Sequence, residues 1–221
     1  MTSWHHQERL QARLLAHHLP LLLLSALSVA TLYYTRSFKD VLSRASFALA
    51  YPALALIAAT LLLGPWNILR KRKNPVSSDL RRDIGIWAGI LSLLHTAVGQ
   101  CVHLRGRPWL YYFYRDSERH TLPFRHDLFG FANYTGLISA LILIALLATS
   151  NDYSLRILGT PRWKQLQRWN YGAAALAAIH TFAYQTSEHQ ALPFVTSAGI
   201  CVVATLILQA AGFLRRRAAA V

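Results

Sequence analysis

The sequence predicts an all-α integral membrane bundle of six transmembrane helices, and three observations lead there. Hydrophobic residues make up 54% of the 221 positions and charged residues only 14%, a balance outside that of ordinary soluble domains. The apolar residues gather in blocks of about twenty, the length an α-helix needs to cross a ~30 Å hydrocarbon layer. The basic residues behind the net charge of +14 fall in the short segments between blocks, where they read as orientation signals at a lipid surface. Membrane lipid is therefore an expected partner, and nucleic acid is not.

The first block, Leu14–Tyr34, follows Trp4, His5, His6, Glu8, Arg9 and Arg13 and lacks a small-residue cleavage site. It reads as a retained helix rather than a signal peptide. Ala45–Trp66 is the second, with Gly64-Pro65 as its stop. The basic run Arg70–Lys73 and Asn74-Pro75 then form a turn, and Ser78 or Asp79 is placed to cap the third block, Ile84–Leu104. His103–Asp127 is the longest polar stretch and mixes five arginines with Trp109, Tyr111, Tyr112, Phe113 and Tyr114. That composition suits the headgroup region, so a short interfacial helix is expected there, with a docking surface for an outer partner as the alternative. Leu128–Ser150 is the fourth block. Leu158-Gly159-Thr160-Pro161 punctuates the chain before the fifth, Leu166–Gln185, and Pro193–Leu214 is the sixth. Pro20 and Pro52 fall inside blocks, where a bundle can accommodate the kinks. Six spans fill the chain, so residues 1–221 read as one transmembrane domain.

With the N-terminus inside, the inner segments hold 15 of the 23 Lys and Arg residues and the outer segments hold 8. The positive-inside rule then predicts a multi-pass protein of the cell inner membrane with both termini cytoplasmic. Cys101 and Cys201 make no metal-binding pattern and are expected to be free.

Ionisable residues within a bilayer are costly and usually functional. His95 lies in Leu93-Leu94-His95-Thr96-Ala97 and His180 in Ala177-Ala178-Ile179-His180-Thr181. Blocks three and five run the same way. The last preceding arginines, Arg82 and Arg168, stand 13 and 12 residues before the two histidines. Both imidazoles therefore lie roughly 18 to 20 Å from the inner surface. Two neutral imidazoles facing each other at one depth are what a low-spin heme iron requires. For a single such histidine a hydrogen-bonded packing role is the competing, less favoured reading, and a matched pair on parallel helices is harder still to assign to packing. Small residues such as Ala53, Gly89, Ser92, Gly172 and Ala173 leave room for a flat cofactor. His17 and His18 lie one turn into the first block, where packing is the default and an inner flavin or quinone site the alternative. His103, His120, His126 and His189 read as interfacial or loop residues, though His103 could approach a heme carboxylate.

These residues resemble the ferric-reductase-like transmembrane domain family, and within it the heme-binding membrane subunits of bacterial periplasmic methionine-sulfoxide reductase systems. The resemblance covers roughly residues 45–185. It rests on Arg81-Arg82-x-x-Gly85-x-Trp87 followed by His95, on Ala148-Thr149-Ser150, on Leu158-Gly159-x-x-Arg162-Trp163-x-x-Leu166, and on Tyr171 and His180. It implies a six-helix bundle that binds b-type heme between His95 and His180. It also implies electron transfer from a cytoplasmic flavin reductase or membrane quinol to a soluble periplasmic reductase or a metal acceptor. Related subunits carry another histidine thirteen residues before the one matching His180. Here that position is Gln167, and the third block offers Arg81 or Arg82, so one heme rather than two is expected. Arg105 and Arg107 are expected partners for the heme carboxylates, with lipid phosphate as the alternative. Thr96 and Thr181 are placed to bond backbone carbonyls or to orient the imidazoles.

No Gly-rich dinucleotide fingerprint follows a strand, and seven residues follow Leu214, so the chain is expected to act as a subunit with a separate electron donor. Two other functions compete. A non-redox transporter or scaffold would use the same histidines for packing or proton movement. A self-contained ferric or cupric reductase would keep the heme and change the acceptor. The first gains little support, because no intramembrane Asp or Glu pair and no inverted repeat is visible.

Overall fold

The computed structural model describes residues 11–38, 40–72 and 79–219, without the side chains of Arg105 and Ser117. The proposed cap Ser78, the turn residues Lys73, Asn74 and Pro75, and the segment before Gln11 lie outside the described residues. The protein is an all-α membrane bundle. Its helices are α1 (Leu19–Thr35), α2 (Val41–Leu69), α3 (Asp79–Gly99), α4 (Leu128–Ala148), α5 (Asp152–Gln167), α6 (Trp169–Ser187) and α7 (Leu192–Ala218). Four are long and apolar enough to cross a membrane: Gln11–Thr35, which takes in α1, then α2, α4 and α7. The two histidine-bearing helices, α3 and α6, pack among them. α2 packs chiefly on α3 and α7, and α4 on α6 and α3. Ile57, Ala88, Leu143 and Ala173, one from each of α2, α3, α4 and α6, form a buried core cluster at the centre of this four-helix set.

The first block enters through a π-helical turn, Leu14–His18, where the Leu19 amide bonds the Leu14 carbonyl. Pro20 follows at once. Its ring cannot donate to the Ala16 carbonyl and would clash with it in a regular helix, so the local widening accommodates it. The stop expected at Gly64-Pro65 is not a stop, because α2 runs on to Leu69. Both residues are buried, and the helix continues because Pro65 packs on α7. A Cβ added to Gly212 would come 2.9 Å from the Pro65 Cβ.

α3 begins before the apolar block and carries Arg81, Arg82 and Asp83 into the helix. Each is engaged elsewhere in the bundle: Arg81 Nε donates to the Thr60 carbonyl (2.8 Å), Arg82 bonds Asp152 (2.7 Å), and Asp83 is fully buried beside Arg13. The segment read as a turn before the fifth block is mostly helical. Asn151 caps α5 by accepting from the Ser154 amide (2.8 Å), and the break falls at Gly159 alone, where φ is +69°. Glycine tolerates that left-handed backbone, and Pro161 sits in the turn that restarts the helix.

The stretch expected to hold an interfacial helix instead makes three short 3-10 turns, Leu104–Gly106, Pro108–Tyr111 and Ser117–Arg119. Tyr111 anchors it. The ring is 1% exposed, and its hydroxyl accepts from the His103 amide (2.7 Å) and donates to the Gly99 carbonyl (3.0 Å) at the end of α3. Burial raises the Tyr111 phenol above its ordinary pKa, which keeps that donor protonated. Asp127 caps α4 through the Gly130 amide (2.7 Å). Cys101 and Cys201 are free thiols.

Candidate functional site: a histidine-paired cavity

α2, α3, α4 and α6 enclose a cavity of about 270 Å³ at the His103 end of the bundle. Small residues create the space, among them Ala50, Ala53, Gly99, Gly136, Ala140 and Ala177, all on its wall. His95 and His180 enter it from α3 and α6, with ring centroids 6.1 Å apart and ring planes at 69°. With about 2 Å per metal–imidazole bond and about 1.1 Å from nitrogen to ring centre, two imidazoles held collinearly on one metal would have centroids about 6.2 Å apart. The observed separation matches.

The hydrogen bonds of the two rings point the same way. His95 Nδ1 lies 2.9 Å from the Ser46 carbonyl of α2, and His180 Nδ1 lies 2.7 Å from the Ala132 carbonyl of α4. A backbone carbonyl only accepts, so each Nδ1 carries the proton and each Nε2 keeps a lone pair. This is how metal-binding histidines are usually oriented: the remote N–H is tied to a carbonyl or carboxylate, which fixes the ring and raises ligand basicity. Thr96 and Thr181 bond backbone carbonyls, Ser92 O and Ala177 O, at 2.8 Å each, and do not orient the rings.

Gly136 makes the arrangement possible. A Cβ there would come 2.6 Å from His180 Nδ1 and 2.8 Å from Cε1. Sequence reasoning missed Gly136, Ser46 and Ala132. The glycine could have been found by its position in the apolar fourth block, whereas the two carbonyls leave no mark on residue type. The cavity also contains two buried polar atoms with no partner among the described residues, Ser92 Oγ and Gln185 Oε1. Together the histidine pair, the small-residue wall and the open polar atoms fit a flat, metal-centred cofactor with polar side arms.

The remaining candidates are distributed as follows. His103 lines the mouth, its Nε2 3.7 Å from Glu188. Arg107 is exposed and does not line the cavity, and Arg105 lies in the 3-10 turn above it. His17 and His18 are at the opposite end of the bundle, turned to Asp83 at 2.7 and 3.3 Å, where Arg13 also donates and Trp87 Nε1 reaches His18 Nδ1 (3.3 Å). Gln167, at the position of the second histidine of related subunits, is 3.5 Å from Thr149 Oγ1. Beside it Asn170 donates to Thr60 Oγ1 at 2.7 Å. Polar bonds and the core cluster thus occupy that half of the bundle. Among the described residues no group of three or more His, Cys, Asp or Glu could hold a bare metal ion.

Fold and cavity define a class: a membrane-embedded helical bundle with a paired-histidine pocket inside it. Known proteins similar in sequence carry the name of a heme-binding subunit. The chain is 33% identical over 129 residues to the protein-methionine-sulfoxide reductase heme-binding subunit MsrQ of Yersinia pseudotuberculosis (serotype O:1b, strain IP 31758), a match covering 58% of this chain and 56% of that protein. The MsrQ of Yersinia pestis (strain Pestoides F) matches at the same identity over 55% of its length. The chain spans about half the length of the curated relatives it matches, and within that span it is MsrQ-like, as its motifs suggest. No family model matches the chain, and no solved structure matches it.

Proposed function

We propose that this chain is the b-type heme subunit of an electron-transfer system, with His95 and His180 as the two axial ligands of a single heme. The observation that carries the reading is the histidine pair: centroids 6.1 Å apart, each Nδ1 spent on a carbonyl, each Nε2 left to coordinate. A bound heme supplies one-electron iron chemistry that no side chain here offers. His95 and His180 would hold the iron, Ser46 and Ala132 fix their rings through backbone carbonyls, and a largely apolar wall limits water around them. A single heme is supported by Gln167, which stands where related subunits carry the second histidine and bonds Thr149 Oγ1 (3.5 Å).

The name of the relatives supports a methionine-sulfoxide reductase as the acceptor, and in this reading electrons leave to it at the His103 end, taken as the periplasmic face. They enter from a cytoplasmic flavin reductase or membrane quinol. Purified protein is expected to show a Soret band that shifts on reduction, at one heme per chain, and to lose it in His95→Ala and His180→Ala. A colourless preparation from heme-sufficient cells overturns the proposal. Reoxidation of the reduced protein by ferric or cupric ions, but not by a methionine-sulfoxide reductase, would shift the function to a self-contained metalloreductase.

A further inference from the structure

At the His103 end of the cavity the protein leaves two complementary hydrogen-bonding valences open. Gln185 is 6% exposed, and its Nε2 donates to the Phe194 carbonyl (3.2 Å) and to the Tyr51 hydroxyl (3.1 Å). The Phe194 carbonyl only accepts, so it fixes which end of the amide is nitrogen. Oε1 is then a buried acceptor with no partner among the described residues. Tyr51 already accepts from Gln185, so its hydroxyl proton is left to give. Both side chains line the cavity. Gln185 lies five residues beyond His180 on α6, roughly 7.5 Å further toward the cavity mouth.

Native structures seldom keep a buried polar atom unsatisfied, and a free donor beside a free acceptor in a cofactor-sized space calls for a group that offers both. A carboxylic acid does: its carbonyl oxygen accepts from Tyr51 and its O–H donates to Gln185 Oε1. A carboxylate would instead face Gln185 Oε1 with like partial charge. The guanidinium groups at this end do not line the cavity: Arg36 stacks on the Phe47 and Phe194 rings (5.3 and 4.6 Å) and bonds Gln190 (3.4 Å), Arg44 bonds the Phe38 carbonyl (3.1 Å), and each keeps a buried Nε with no partner among the described residues. His103 Nε2 lies 3.7 Å from Glu188. We propose that Tyr51 and Gln185 form the receptor for one carboxyl side arm of the porphyrin, taken in its protonated form. This inference rests on the heme reading. It assigns the arm to a pair within the membrane bundle rather than to Arg105 or Arg107 in the loop above.

The test uses the full chain, produced heme-free in detergent and titrated with heme and with heme dimethyl ester, which lacks the acid O–H. Soret absorbance reports binding. Wild-type protein is expected to bind heme at least tenfold more tightly than the ester. Gln185→Leu is expected to abolish most of that preference while leaving the two-histidine spectrum unchanged, whereas Tyr51→Phe, which removes a bond that the acid and ester carbonyls both accept, is expected to weaken binding of both compounds. A preference of wild-type size in Gln185→Leu overturns this inference alone. If Gln185→Leu does not fold, Tyr51→Phe, which removes a single oxygen, decides the matter: unchanged affinity for both compounds overturns the inference. Wild-type protein that binds neither compound overturns the heme reading and this inference with it.

Discussion

The two histidines were legible from position alone, because matched depth on parallel helices is a property of residue spacing. What holds them was not. Ser46 and Ala132 act through backbone carbonyls, and any residue could supply those. Gly136 acts through the side chain it lacks. Its role gives a sharp test, because Gly136→Ala should stabilise an isolated helix by up to about 1 kcal/mol yet would drive a Cβ to 2.6 Å from His180 Nδ1. The ring must move and lose its bond to Ala132. Loss of an outer-shell contact typically costs about 10–100-fold in metal affinity. We therefore expect heme affinity to fall by at least about tenfold in Soret titration, with helical content unchanged by circular dichroism. Unaltered affinity would show that the His180 ring need not hold this position.

Among the elements, the apolar helices were legible and the polar ones were not. α5 has no apolar stripe, and its capping by Asn151 and break at Gly159 are features that a hydrophobic pattern does not report. α3 was placed late because Arg81, Arg82 and Asp83 look like loop residues until their partners are known. Those partners come from distant segments: Thr60 on α2, Asp152 on α5 and Arg13 ahead of α1. The Asp83 contact matters most for α1, which contributes only Ser25 to the buried set. Its attachment depends heavily on Arg13, His17 and His18 meeting a carboxylate with no solvent exposure. Removing one partner of a buried ion pair costs about 3–5 kcal/mol. Asp83→Ala is accordingly expected to loosen α1, seen as faster amide exchange across Leu19–Thr35. The heme spectrum should be preserved, because α1 does not line the cavity. Unchanged exchange in α1 would mean that lipid-facing packing alone holds it.

At the scale of the whole molecule, composition and charge placement gave the class of fold but left orientation to a count of loop residues. Four helices announce themselves as spans. α3 and α6 do not reach the same apolarity, since α3 opens with Asp79, Arg81, Arg82 and Asp83, and α6 carries Asn170, His180 and Gln185. Their polar groups are tolerated because α2 and α4 cover them, which is why a cofactor helix is harder to recognise than a lipid-facing one. The native thiols can test the orientation without engineering a tag. Cys101 is exposed two residues past the end of α3, on the His103 side, whereas Cys201 is half-buried ten residues into α7. If the excess of 15 basic residues over 8 marks the cytoplasmic side, a membrane-impermeant maleimide added to spheroplasts will label the protein at Cys101. Cys101→Ser will abolish the signal and Cys201→Ser will not. Labelling of Cys101 only in inverted vesicles would reverse the bundle, put the histidine pair nearer the cytoplasm, and remove the path to a periplasmic acceptor even if the heme itself is present.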